Sequence, residues 1–165
     1  MDESYLDIEF NRADDLIAQE LTEEGKEVLQ SILVENPKYG KAHNHLGWIS
    51  KIKENNLTSA ENHYKLALEL APEYGATYMN YAYLLSEEKR FAELEALLKK
   101  ADQIRDVNQT NLLREWAYYY EDTRQFEQAI KKYKDYALSL YDNALVEKAK
   151  EAIIRCKQKL EIMNL

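Results

Sequence analysis

The chain has 165 residues and 19.4 kDa, with 30 Asp+Glu against 22 Lys+Arg, a formal net charge of −8 and a pI near 5.0. That length fits one domain, and 45% hydrophobic residues suffice for a packed core. Four Gly and two Pro argue against a turn-rich β sandwich or barrel and against a disordered linker. The acidic balance argues against nucleic acid, whose phosphates need clustered cations. One cysteine excludes an internal disulfide framework and a zinc site built on several thiolates.

The start, MDESYLDIEF, lacks the basic and apolar regions of an export signal, and no apolar run reaches the roughly 18 residues of a membrane span. The expectation is a soluble cytoplasmic protein with no membrane insertion. The sequons Asn56-Leu57-Thr58 and Asn108-Gln109-Thr110 are then matches by chance.

Hydrophobic periodicity predicts helices over 3–19, 22–35, 38–54, 58–71, 73–87, 90–104, 108–121, 124–140 and 143–162, with no convincing strand. The first two fall in residues 1–36, which hold 11 Asp+Glu against 2 Lys+Arg, while the rest holds 19 against 20. Such a pair reads as a solvated terminal cap. Its functional alternative is an acidic flap that meets a basic partner or folds onto cations of its own chain. Pro37 suits the first turn of the third helix, where no N–H is needed, and Pro72 repeats that role for the fifth. Asn55-Asn56 suits the left-handed end of the third helix, and Thr58 with Glu61 reads as a capping box for the fourth. In the last helix Leu145, Val146, Ala149, Ile153, Cys156 and Leu160 form one apolar stripe, as a capping helix requires. Its cations are interrupted by acids and read as solvated faces.

Large-small pairs recur at Leu46-Gly47, Tyr81-Ala82 and Trp116-Ala117, each 35 residues from the last. In the helix after each pair come Leu57, Phe91 and Phe126. Then follow Ala60, Leu94 and Ala129, then Tyr64, Leu98 and Tyr133, then Ala67, Ala101 and Tyr136. These steps of 3, 4 and 3 keep one helix face. The small residue admits a neighbouring helix, and the second helix buries its stripe against the first. One such pair cannot bury its own face, so pairs must stack.

This pattern resembles the tetratricopeptide repeat family, whose unit is about 34 residues. The resemblance is best over 40–74, good over 75–109 and 110–143, and degenerate over 1–39, where Leu29, Ile32 and Pro37 fit and Gly25 stands for Ala. Residues 144–165 are the capping helix. Asp106 stands where Pro is usual, and Tyr136 replaces a small residue. The resemblance implies an all-α, right-handed superhelical solenoid of antiparallel helix pairs, whose first helices line a concave face that holds a peptide or helix of another protein.

On those first helices, Trp48, Tyr83 and Tyr118 recur at spacings of 35, and Asn44, Met79 and Arg114 lie one turn earlier. Aromatics, Met and Arg are the types enriched in binding hot spots. Asn80 sits where the family's carboxylate clamp carries an Asn. Trp48, Asn111 and Glu115 occupy other clamp positions and do not match, so no carboxylate clamp is expected. The candidate groove is Trp48, Tyr83, Tyr118, Asn44, Met79, Asn80 and Arg114, with Asn44, Asn80 and Arg114 as hydrogen-bond donors. The alternative for the aromatics is packing between neighbouring first helices.

His43 and His45 point to opposite sides of a helix, and His63 comes near His43 with no carboxylate or thiolate beside them, so no metal site is expected. Cys156 lies on an apolar stripe without a paired base. The glycines are isolated, so no phosphate loop exists, and no cofactor is implied. The sequence reads as a non-catalytic interaction module, an adaptor or scaffold. Its alternative is a structural homo-oligomer, such as a homodimer, using exposed aromatics and the C-terminal helix.

Overall fold

The structure is a computed structural model describing residues 3–165, with only the backbone of Glu3. The first two residues of the acidic segment lie outside the described residues. Among the described residues there are nine α-helices and no strand. They are α1 (Glu3–Ala18), α2 (Thr22–Glu35), α3 (Gly40–Ile52), α4 (Leu57–Leu70), α5 (Gly75–Glu87), α6 (Phe91–Ala101), α7 (Gln109–Asp122), α8 (Phe126–Leu138) and α9 (Asn143–Met163). Each predicted helix is present, with ends within three residues of those expected.

Helix starts bring two corrections. Pro37 and Pro72 precede α3 and α5 instead of opening them. Each is the second residue of a turn, closed by Tyr39 N–H to Asn36 O and by Tyr74 N–H to Ala71 O, both at 3.0 Å. That position suits the fixed φ of proline and requires no N–H. Thr58 does not cap α4, because the helix already runs from Leu57. The cap is Asn56, whose Oδ1 accepts from Ser59 N–H at 3.0 Å. Asn108 caps α7 and Asp142 caps α9 in the same manner.

The turn inside each helix pair has a shared geometry that the sequence hides. Glu20, Asn55, Lys89 and Arg124 have φ of 66°, 52°, 56° and 60°. At three of them the backbone makes a Schellman closure. Leu21 N–H bonds Leu16 O (2.9 Å), Arg90 N–H bonds Leu85 O (2.9 Å) and Gln125 N–H bonds Tyr120 O (2.8 Å). Only Asn55 is of a type that favours this region. Glu20 is in phase with the others, so the turn between α1 and α2 repeats their geometry.

The chain divides into two compact units, Met1–Leu84 and Leu85–Leu165. In the first, α1 packs on α2, α2 on α3 and α3 on α4. Leu6, Phe10, Ala13, Leu29, Ile32, Ala42, Leu46 and Ile49 form its core. A Cβ on Gly47 would lie 2.6 Å from Tyr64 Cε1, which is why the small member of that pair has no side chain. Gly25 admits the Ala13 carbonyl in the same way, 3.1 Å from a built Cβ. Part of the acidic segment folds onto its own chain. Asp7 pairs with Lys41 at 3.3 Å and accepts from Tyr39 Oη, and Asp14 accepts from His45 Nε2 at 3.0 Å.

In the second unit, α6 packs on α7, α7 on α8 and α8 on α9. Trp116 is buried, stacked on Tyr120 at 5.3 Å, and donates from Nε1 to Asp102 Oδ1 at 3.2 Å. Ala117, Phe126, Ala129, Tyr133, Ala152 and Cys156 form a core that covers the stripe of α9. Leu145 is in phase with Ala149, Ala152 and Cys156, at steps of 4, 3 and 4, yet it is 37% exposed. It stands in the first turn of α9, beside the cleft that Arg114 and Tyr118 line, and buried Ala152 takes its place in the core. A carboxylate ties α7 to α8 and α9. Glu121 accepts two bonds from the Arg155 guanidinium at 2.7 Å, one from Lys159 at 3.0 Å and one from Tyr133 Oη at 2.7 Å.

Candidate functional site

Three of the sequence-predicted residues meet in one cleft of the first unit, of about 330 Å³, lined by Asp14, Ile17, Asn44, His45, Trp48, Tyr74, Ala76 and Asn80. α1 supplies Asp14 and Ile17, α3 supplies Asn44, His45 and Trp48, and α5 supplies Ala76 and Asn80. The helix step explains the middle group: 44 and 48 are one turn apart and share a face.

The polar groups are held in place. Asn80 Nδ2 donates to Asn44 Oδ1 at 3.0 Å, and Asn44 is 2% exposed. Leaving that buried oxygen without a donor would cost about 1–3 kcal/mol. His45 Nε2 is fixed on Asp14 Oδ1 and its Nδ1 lies 3.3 Å from Lys41 O. Trp48 is half-buried, with Lys53 Nζ 6.0 Å from its ring centroid. The arrangement offers an aromatic wall, a rigid amide pair and a single carboxylate.

The other predicted residues go elsewhere. Met79 turns into the core, 5% exposed, and does not line the cleft. The 35-residue step placed it opposite Asn44, whereas the hydrogen bond joins residues 44 and 80. Tyr83 is half-buried on α5, outside that lining. Arg114 and Tyr118 line a cleft of the second unit, of about 360 Å³, together with Tyr133, Tyr136, Leu145 and Arg155. Tyr118 is 44% exposed, its ring 6.0 Å from that of Tyr133. Arg114 Nε donates to Glu115 at 3.3 Å, and that carboxylate, at one of the unmatched clamp positions, is buried.

Asp14, His45 and Tyr74 escaped the sequence reading. Asp14 and His45 are 31 residues apart, and no repeat spacing links them. The one signal was the acidic segment as a flap folding onto its own chain. A further cleft, of about 510 Å³ and lined by Glu121, Phe126, Lys159, Ile162 and Met163 among others, holds none of the predicted residues.

Two further titratable sites stand out. His43 Nδ1 and His63 Nδ1 are 3.1 Å apart, so one ring donates to the other. Burial holds both pKa values below the ordinary 6.5, and the charge on His43 lowers His63 further. Among the described residues no group of three or more His, Cys, Asp or Glu is placed to hold a metal ion. Hydrogen bonds from Arg155, outweighing burial, hold Glu121 at about 2, and burial pushes the Cys156 thiol up to about 11. A buried thiol whose pKa is raised stays protonated and is a poor nucleophile. No helix among the described residues is long and apolar enough to cross a membrane.

No family model matches the sequence, and no curated protein matches it. The fold is similar to the crystal structure of a thermophilic TPR protein from Thermus thermophilus, with a TM-score of 0.64 and 16% identity over 88% of this chain and 80% of that one. The likeness shows the fold: the chain is an all-α protein of tetratricopeptide-type helix pairs.

Proposed function

We propose that the chain is a non-catalytic protein-interaction module, an adaptor or scaffold that holds a peptide or helix of a partner protein on its first helices. The observation that carries this reading is the convergence of Asn44, Trp48 and Asn80 in one cleft of the first unit. A half-buried indole beside a pre-positioned amide pair suits an extended or helical segment, since the ring supplies area at low entropy cost and the amides fix orientation. Arg114 and Tyr118 extend the reading to the second unit, with Tyr83 as a further aromatic contact. Repeat folds act mostly through such surfaces, and neither cleft holds a nucleophile with a base. Partners are proteins rather than nucleic acid or a lipid bilayer, and the setting is cytoplasmic.

The test is affinity capture from native lysate with wild type and the Trp48→Ala/Tyr83→Ala double variant. The expected outcome is a partner retained by wild type and lost by the variant, with unchanged helicity by circular dichroism. Equal capture by both, or a collapsed helical signal, defeats the reading.

A further inference from the structure

We propose that the cleft of the first unit selects a cation-bearing segment, one that places an arginine or lysine side chain between Asp14 and the Trp48 ring. This rests on the groove reading above and adds the chemistry of the partner.

The lining contains one formally charged side chain, and it is a carboxylate. Asp14 Oδ1 is engaged by His45 Nε2, while Oδ2 has no protein partner among the described residues, and the side chain is 64% exposed. A guanidinium or ammonium entering the cleft finds that second oxygen, which can form a charge-assisted bond. The adjoining wall is the indole of Trp48, the ring type that binds cations best. Lys53 Nζ lies 6.0 Å from its centroid, at the outer limit of cation–π contact. The Trp48 indole N–H likewise has no hydrogen-bond partner among the described residues, leaving a donor for a segment's carbonyl.

The wider field points the same way. Residues 1–84 hold 15 Asp+Glu against 7 Lys+Arg. Glu20, Glu23, Glu24 and Glu27 add exposed carboxylates on the unit that carries the cleft. An anionic segment would lose against this field, and a neutral one would leave Asp14 Oδ2 in water. A basic segment is steered in and bound through the one charge the cleft presents.

The test uses three synthetic probes on the full chain: acetyl-Leu-Arg-Leu-amide, the same peptide with neutral, near-isosteric citrulline, and the same with Glu. Shifts of the Trp48 indole and Asn80 side-chain amide signals are followed by nuclear magnetic resonance. The Arg peptide is expected to give saturable shifts at an affinity about 3- to 10-fold above the citrulline peptide, with the Glu peptide weakest. Asp14→Asn should erase the Arg-over-citrulline preference. Glu23→Gln, which removes the same charge from an exposed site on α2, should keep it.

Equal affinities for the Arg and citrulline peptides overturn the cation selection while the groove reading stands. Equal loss of preference in Asp14→Asn and Glu23→Gln overturns it too, because the field alone would then explain the binding. Absence of saturable shifts with all three probes also overturns it, and the groove reading is then decided by the capture experiment.

Discussion

The two units solve one packing problem with different materials. Residues 1–84 hold 15 Asp+Glu against 7 Lys+Arg, and residues 85–165 hold 15 against 15. The whole net charge of −8 therefore sits in the first unit. That unit is held by close helix approach, with Gly25 and Gly47 standing where any Cβ would collide. The second has alanine at its small position and adds a polar hub, Glu121, that draws Arg155, Lys159 and Tyr133 together. The lesson is that a repeat fixes which positions are large, small or apolar, and leaves free how a unit balances its charge.

The largest expected effect compares matched tyrosines. Tyr64 and Tyr133 stand at the same repeat position, 0% and 2% exposed. Replacing either with Ala should cost about 3–5 kcal/mol in denaturant unfolding. Tyr133→Ala should exceed Tyr64→Ala by about 1 kcal/mol, since it also strips a hydrogen bond from Glu121. Equal costs would break the distinction between the units.

Next is the hub itself. Glu121→Gln keeps the shape and removes the charge that Arg155 and Lys159 share, and should cost about 1.5–3 kcal/mol. Hydrogen exchange should show the loss in α7 to α9. A change confined to residues before 85 would contradict the assignment.

Acid sharpens the contrast without mutation. His43 and His63 have folded pKa values below 6.5, so below pH 6.5 the unfolded chain binds protons that the folded unit refuses. Their contribution is present above 6.5 and is lost as pH falls through the lowered values. Glu121 titrates near 2 when folded, against an ordinary 4.5. Its contribution holds above 4.5 and is lost between about 4.5 and 2. Hydrogen exchange along a pH series should therefore show the first unit loosening before the second. The reverse order would break the comparison.

The smallest effects come from two of the left-handed turn residues, one taken from each unit. Glu20→Gly and Arg124→Gly should each stabilise by about 0.5–1 kcal/mol, since glycine accepts positive φ without strain. Destabilisation on calorimetry would mean that these side chains make contacts worth more than their strain.

Much of the fold was legible because it rests on periodicity. Leu46, Tyr81 and Trp116 are 6%, 5% and 4% exposed, as large packing positions must be. Helix starts were less legible, because Asn56 and Thr58 are both good caps and only geometry selects one. The turns were illegible at Glu20, Lys89 and Arg124, where the backbone closure sets a positive φ that these residue types do not advertise. The cleft was half legible. Spacing gave Asn44 and Trp48, the family resemblance gave Asn80, and Met79, 35 residues after Asn44, is buried like it but outside the cleft lining. Asp14 comes from a contact between distant segments, which no period encodes.

The positive-φ turns have a practical corollary. Lys89 lies between α5 and α6, Arg124 between α7 and α8, both exposed and both of the type after which trypsin cuts. A chain opened after either residue keeps every helix whole, so the scissile bonds coincide with the joints of the repeat. These are the places to graft an inserted domain, or to relocate the termini by circular permutation.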